Sequence, residues 1–304
     1  MVKHPDAILC TDLHIREDVP ICRTDDYLEA QWTKLQFITD LQKQYDIPVL
    51  CAGDVFHKWK ISPWLAAESI QRIPGEFVCV PGQHDLPQHN LDLFEKSGLA
   101  VLEAAGVAQV MSGGDIYTFQ AHSGPLVHVH GFPWGTQIEK VQQEKGVRNV
   151  CLAHYFVYVG DKPWPGCESP TAPKFMRKFP GYDLIVTGDN HQRFDKVMHG
   201  QAMVNAGSMM RMTADQDSHE PCVYLWNAKE NIVEKVLLPF AANVIQRTHL
   251  DNKAVRENRI DAFIKRLRTD YEQGLDFRNN IKEFFNNQKV SKDVQDLLWR
   301  ALDA

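Results

Sequence analysis

Short runs rich in Val, Ile and Leu recur along the chain at 7–11, 47–52, 76–80, 126–130, 149–153, 183–187 and 202–206, each ending in a polar cluster. Runs of this length and composition predict strands of a core sheet covered on both faces. Between the first two runs, Leu28, Trp32, Leu35, Ile38, Leu41 and Tyr45 recur every three or four positions, which predicts an amphipathic helix. Thr24, Asp25 and Asp26 supply candidate caps for it. Ser62-Pro63 opens a second helix, with proline in the first turn, where its missing N–H is harmless. Strands alternating with helices predict a layered α/β fold. The runs 222–226 and 232–237 follow one another closely and predict antiparallel strands at one edge.

After Pro239 the pattern becomes helical. Ile260, Phe263, Ile264, Leu267 and Tyr271 mark one amphipathic stretch; Ile281, Phe284 and Phe285 mark a second. Val294, Leu297, Leu298, Ala301 and Leu302 mark a third, with Ser291 as its candidate cap. The expected organisation is therefore an α/β body over residues 1–240 and a small helical C-terminal appendage over 241–304.

Hydrophobic residues at 44% and charged residues at 24% of 304 exclude disordered and fibrous classes. No apolar run reaches the ~18 residues that a membrane helix needs, so no membrane partner is expected. The chain meets Asp6 before an apolar core can form, so no secretory signal peptide is expected either. Four of the seven cysteines (Cys10, Cys51, Cys79 and Cys151) lie in apolar runs, and no CxxC pair occurs. Such thiols read as reduced core residues and point to a cytoplasmic protein. The net charge of −6 argues against binding nucleic acid by charge alone, unless bound cations change the local sign.

The informative residues follow the strands. The first run leads into Asp12-Leu13-His14, the second into Gly53-Asp54-Val55-Phe56-His57, and the third into Gly82-Gln83-His84-Asp85. The fifth ends in His154 and the sixth in Gly188-Asp189-Asn190-His191. In α/β sheets the loops at the carboxyl ends of strands converge on one crevice. Any one of these segments alone reads as a turn or a cap; five in order at strand ends do not. Mixed carboxylate, imidazole and amide donors suit first-row divalent ions such as manganese better than structural zinc.

This ordered series resembles that of the calcineurin-like metallophosphoesterase superfamily (DxH, GDxxH or GDxxD, GNHD, H, GHxH) over about residues 6–215. Within it the chain looks most like the SbcD-type nucleases of double-strand-break repair and recombination. Lys60-Ile61-Ser62-Pro63 after the second motif, Gly131-Phe132-Pro133-Trp134, and Asn205-Ala206-Gly207-Ser208 followed by Arg211 carry that finer likeness. The resemblance implies a four-layer α/β/β/α sandwich with two divalent metal ions, manganese first and magnesium second. Asp12, His14 and His191 would hold one ion, Gln83, His154 and Asp189 the other, and Asp54 would bridge them. His84 would protonate the leaving oxygen or hold the phosphate, with Asp85 orienting its ring and His57 helping to place the nucleotide.

Gln83 stands where the family has Asn, and Asp189 where it has the first His of GHxH, so the second ion is expected to bind differently from the first. The implied function is phosphodiester hydrolysis of DNA, as exonuclease or endonuclease, with an SbcC-type ATPase as partner and a homodimer possible. The rival within the superfamily is a phosphatase or small-molecule phosphodiesterase. The rival of another class is a metal-binding but catalytically weak scaffold for the ATPase. Lys58 and Lys60 are placed to touch a phosphate backbone. The basic run 265–268 reads first as a solvated helix face. Trp164, in a Pro/Gly-rich loop after His154, reads as a packed loop anchor or, if exposed, as a stacking platform for a base.

Overall fold

The computed structural model describes residues 4–248, 277–288 and 290–303. The chain divides into two compact units, Met1–Gln246 and Arg247–Ala304. The first contains β1 (Ala7–Cys10), α1 (Tyr27–Tyr45), β2 (Val49–Cys51), α2 (Pro63–Arg72), β3 (Phe77–Cys79), α3 (Gly98–Ala104) and β4 (Gln109–Val110). It continues with β5 (Ile116–Gln120), β6 (Leu126–Phe132), β7 (Val147–Ala153), α4 (Ala172–Lys178), β8 (Leu184–Thr187), β9 (Phe194–Met198) and β10 (Gln201–Asn205). β11 (Cys222–Asn227) and β12 (Ile232–Leu237) close it.

Two mixed sheets result. One has the order β12-β11-β1-β2-β3-β4, with β1 to β4 parallel and the last two strands antiparallel at the edge, as the short connection predicts. The other has the order β5-β6-β7-β8-β10-β9, parallel except for its two edge strands. The two-residue period of a strand sets the layers. Ala7 and Leu9 of β1 join Leu50, Val78, Val129, Leu152, Val186 and Val204 in a core between the sheets. Ile8 and Cys10 turn the other way, against Leu35 and Ile38 of α1, Leu65 of α2 and Leu99 of α3. On the far side Cys151, Ile185 and Met203 pack on Phe175 and Met176 of α4. The architecture is the expected α/β/β/α sandwich.

Local chemistry fixes the helix starts. The Asp26 carboxylate accepts the Glu29 N–H at 3.0 Å and caps α1, while Asp25 is taken by Arg23. Ser62 Oγ accepts the Leu65 N–H at 3.1 Å, one residue before Pro63. The sequence pattern does not announce β4, β5, β9, α3 or α4. β9 is half-buried or exposed at every position, so it carries no apolar run to read. The segment 241–246 belongs with the first unit: Thr24 N–H donates to Val244 O at 3.0 Å, Arg23 bridges to Ile245, and Arg211 donates to Ala241 O.

The second unit contains α5 (Phe277–Asn287) and α6 (Lys292–Asp303), with the Phe285 and Trp299 rings 6.0 Å apart. The helix expected around 260–271 and the basic run 265–268 lie outside the described residues. Among the described residues no helix is long and apolar enough to cross a membrane. All seven cysteines are free and buried.

Asp6 ties the two sheets together at the entry to β1. Its buried carboxylate accepts Ser123 N–H (2.9 Å) and Ser123 Oγ–H (2.6 Å) from the β5–β6 turn, and Ala228 N–H (2.7 Å) from the β11–β12 turn. Asp6→Ala leaves two backbone donors unmatched, at a cost of about 2–4 kcal/mol. A urea midpoint lowered at constant slope is the expected result; a shift below about 1 kcal/mol contradicts this role.

Candidate metal centre

The strand ends bring the motif residues to one place. Asp12 and His14 follow β1, Asp54 follows β2, Gln83 and His84 follow β3, His154 follows β7, and Asp189 and His191 follow β8. The loops are laced by backbone bonds: Asp12 N–H to Gly53 O (2.9 Å), His14 N–H to Asp54 O (2.9 Å) and Ile15 N–H to Val55 O (2.8 Å). The turn after β10, Asn205 to Ser208, buttresses them, since Ser208 N–H donates to His191 O and Met209 N–H to Asp12 O. Asp12, His14, Asp54 and Asp189 all have left-handed backbones, with φ of 50°, 46°, 51° and 68°. Conformations of this kind are costly and persist where the surroundings enforce them. A Cβ at Gly82 would collide with the Asp54 carboxylate and backbone N, so this position needs glycine for the third loop to reach the centre.

Each acidic or amide side chain has one end held by protein and the other bare. Asp12 Oδ2 accepts Thr11 Oγ1–H (2.7 Å) and Asp189 N–H (3.2 Å), while Oδ1 is buried without a partner. Asp54 Oδ1 accepts His84 N–H (2.9 Å), while Oδ2 is buried without a partner. His154 donates Nδ1–H to Ala52 O (2.6 Å), and its buried Nε2 has no hydrogen-bond partner. Gln83 Nε2–H donates to Asp189 Oδ1 (2.7 Å) and leaves Oε1 bare.

The bare atoms face one another. His14 Nε2 lies 3.6 Å from Asp12 Oδ1, 3.6 Å from Asp54 Oδ2 and 3.1 Å from His191 Nε2. His191 Nε2 is 3.7 Å from Asp12 Oδ1, and His154 Nε2 is 3.5 Å from Asp54 Oδ2. Ligands about 2.1 Å from a metal ion stand about 3.0–3.4 Å from each other in octahedral or tetrahedral shells. The donor set therefore fits divalent cations. Among the described residues, three groups have all their donor atoms within 4.8 Å of one another: Asp12-His14-His191, Asp12-Asp54-His154 and His14-His57-His84. Asp54 adjoins both of the first two.

The electrostatics also call for cations. Burial pushes the His14 imidazole well below its usual value, against the pull of Asp54, and the neighbouring imidazoles add to the effect; a neutral ring keeps its lone pair for a metal. Burial acts the same way on His154, but Asp54, Asp12 and Asp189 outweigh it and raise that ring to about 10. Burial raises Asp189, with Asp12 and Asp54 adding to it against His154 and Gln83. His57 is lowered to about 4 by burial and by Arg16 and His84.

Two details depart from the sequence reading. Asp85 does not orient the His84 ring. Its fully buried carboxylate accepts the N–H groups of Val55, Phe56 and Gly82, fixing the second and third loops to each other. The His84 ring is held instead by the His57 backbone carbonyl, 2.8 Å from Nδ1. Asp189 falls outside the His154–Asp54 group, because Gln83 holds its carboxylate; the two residues that differ from the family series have paired with each other. The meeting of His14, His57 and His84 is not legible from spacing: the His57 ring stacks on His84 at 5.4 Å and stands edge-on to His14 at 5.5 Å.

Residues 7–193 match the calcineurin-like phosphoesterase family, and the chain belongs to it. It is therefore a hydrolase of the phosphoesterase class, whose members use a pair of divalent metal ions. Among curated proteins none matches the chain. Among solved structures, a Staphylococcus aureus protein assigned as a 5′-nucleotidase aligns with a TM-score of 0.50 at 16% identity, over 84% of this chain and 58% of that one. An archaeal phosphodiesterase aligns at 0.41 and 11% identity, over 76% of this chain and 99% of that one. A protein from Thermus thermophilus aligns at 0.47 and 9%, over 78% and 100%. At 16% identity the likeness to the first of these is one of fold alone.

Divalent ions at the bare atoms would supply Lewis-acid charge to a phosphoryl group. To ligate one, His154 must first lose the proton that its raised pKa keeps at neutral pH. Titrating Mn²⁺ into the metal-free protein at pH 7.5, in buffers of different ionisation enthalpy, is expected to release about one proton from that ring. Affinity should rise with pH through neutrality and level off only above about 10, where His154 becomes mostly neutral. Binding without proton release, or independent of pH, contradicts this.

Proposed function

We propose that this phosphoesterase cleaves phosphodiester bonds of DNA, as an exonuclease or endonuclease of SbcD type. The observation that carries the reading is the flank of the metal centre at His57. There Arg16, Lys58 and Lys60, with Glu17 and Asp18 among them, line a groove of about 150 Å³ that shares His57 with the histidine cluster. Asp18 pairs with Arg16 and lies 3.7 Å from Lys58, so the groove carries three basic groups against two acidic ones. Both lysines are exposed. Lysines beside a phosphoryl site give a polyanionic chain purchase next to the bond being cut, which a small phosphomonoester does not need. The turn Asn205–Ser208, part of the finer likeness to that branch, also sits against Asp12 and His191.

In this reading Asp12, His14, Asp54, His154 and His191 hold the ions, with the bare Oε1 of Gln83 completing the second site and Asp189 held beside it by the Gln83 amide. His84, fixed through Nδ1 by the His57 carbonyl, presents Nε2 to the scissile group and donates a proton to the leaving oxygen when doubly protonated. His57 stacks on that ring and holds it against the groove. Manganese is the ion proposed, since hard carboxylates and imidazoles are mixed. An SbcC-type ATPase and pairing of two copies belong to the same proposal; Val294 and Leu297, exposed on α6, supply apolar contact for a partner.

The test is release of nucleotides from end-labelled DNA with Mn²⁺, with and without chelator. Cleavage that stops on chelation is expected. His84→Ala should reduce turnover about 10²–10⁴-fold while Mn²⁺ uptake persists. Cleavage of small esters alone would transfer the site to a phosphatase or small-molecule phosphodiesterase. Metal uptake with no cleavage of either would leave a scaffold.

A further inference from the structure

A cleft of about 760 Å³ borders the metal centre, with Asp189 and His191 among its lining residues together with Phe156 and Trp164. This is the size range of sites that hold small organic groups. His14 links its margin to that of the lysine groove, since its ring lies 4.9 Å from His191 and 5.5 Å from His57. A strand whose scissile phosphate sits at the centre therefore meets both.

The two flanks differ in chemistry. Asp161, Asp189 and Asp215 line the cleft, and the one Lys or Arg among its described lining residues is Arg193. That guanidinium is occupied by Glu220, through its side chain at 2.7 Å and its carbonyl at 2.6 Å. With its one guanidinium taken, such a lining suits a neutral, polar, flat group better than a second phosphate. The flat surface is provided too. Trp164 is 48% exposed and Val159, which lines the same cleft, 49%, so the cleft presents apolar surface to solvent. Its edge-to-face contact with Phe156, centroids 5.0 Å apart, fixes its orientation. The loop that carries it is closed at the neck by the Tyr158–Thr171 bridge and the Ala172 N–H to Tyr158 O bond of 2.8 Å. Within the loop, Cys167 N–H donates to Trp164 O at 3.2 Å, and Cys167 is buried. The ring is thus a preset platform.

We infer that this cleft takes an unpaired nucleobase adjoining the scissile phosphate, stacked on Trp164, so that the substrate is single-stranded or frayed DNA rather than intact duplex. The inference rests on the phosphodiesterase reading above and adds the state of the strand to it. A base within a duplex is already stacked on its neighbours and must leave the helix to reach an aromatic side chain. The exposed aromatic ring, and a lining whose one guanidinium is already paired, favour a base over a second phosphate.

Binding tests this independently of turnover. Fluorescein-labelled decathymidylate is titrated with the full chain by anisotropy, with Ca²⁺ in place of Mn²⁺ to hold cleavage back. A blunt hairpin duplex of equal length is the comparison. The single strand is expected to bind at least 10-fold more tightly than the duplex. Trp164→Ala should weaken it about 5- to 100-fold, with Trp164→Phe recovering most of the loss. Equal binding of strand and duplex, or of the Trp164→Ala variant and the parent, overturns the inference. Displacement of the strand by thymidine 5′-monophosphate at equal concentration also overturns it, by giving the cleft to free nucleotides. A parallel assay of Mn²⁺-dependent hydrolysis of bis(p-nitrophenyl) phosphate separates the two readings. If the ester is cleaved but Trp164 does not matter to binding, only the cleft is wrong; if Trp164 governs binding but no ester or strand is cut, only the hydrolase reading is wrong.

Discussion

Three carboxylates and three imidazoles, most of them without access to water, cannot stay together unless positive charge joins them. Asp12 and Asp54 are fully buried, and each turns a bare oxygen toward the same small space. Burying a carboxylate oxygen without a partner costs several kcal/mol, and this site has two. In the metal-free protein His154 offsets part of this, as an imidazole raised to about 10. One proton against three acidic groups is poor compensation; two divalent ions sharing Asp54 are a good one. The strained backbones at Asp12, His14, Asp54 and Asp189 are the local expression of the same demand, because a relaxed loop would turn these donors outward.

The fold serves this demand through its parallel strands. β1, β2 and β3 of one sheet and β7 and β8 of the other deliver their carboxyl ends to a common edge of the sandwich. β10 adds the turn that braces Asp12 and His191. The antiparallel strands lie at the edges of both sheets and bring no ligand; they cover the core and, in β11 and β12, form the turn that Asp6 grips. Stability and chemistry are thus divided along the sandwich, with Asp6 tying the sheets at one end of β1 and Asp12 reaching the metal centre from the other.

What the sequence makes legible follows the same division. Buried parallel strands need apolar runs, so 7–11, 47–52, 76–80, 149–153 and 183–187 can be read directly, and their polar followers mark the site. The edge strands β5 and β9 face solvent and show no such run, so they stay hidden. Asp85 reads as the partner of its neighbour His84, because sequence shows adjacency and not burial. The structure buries it against the backbone of residues 55, 56 and 82. The hydrogen bond between Gln83 and Asp189 spans 106 positions and is invisible in either motif alone. For Trp164 the sequence is compatible with anchor and platform alike; the structure leaves the ring half exposed, which only coordinates can show.

The central claim is that Asp54 lies between two cations. Crystals grown with Mn²⁺ and measured at the manganese absorption edge test it most directly. Two anomalous peaks about 3.5–4 Å apart, one beside Asp12, His14 and His191 and the other beside His154, with Asp54 touching both, are the predicted result. A single peak remote from Asp54, or none at full metal loading, would contradict the account.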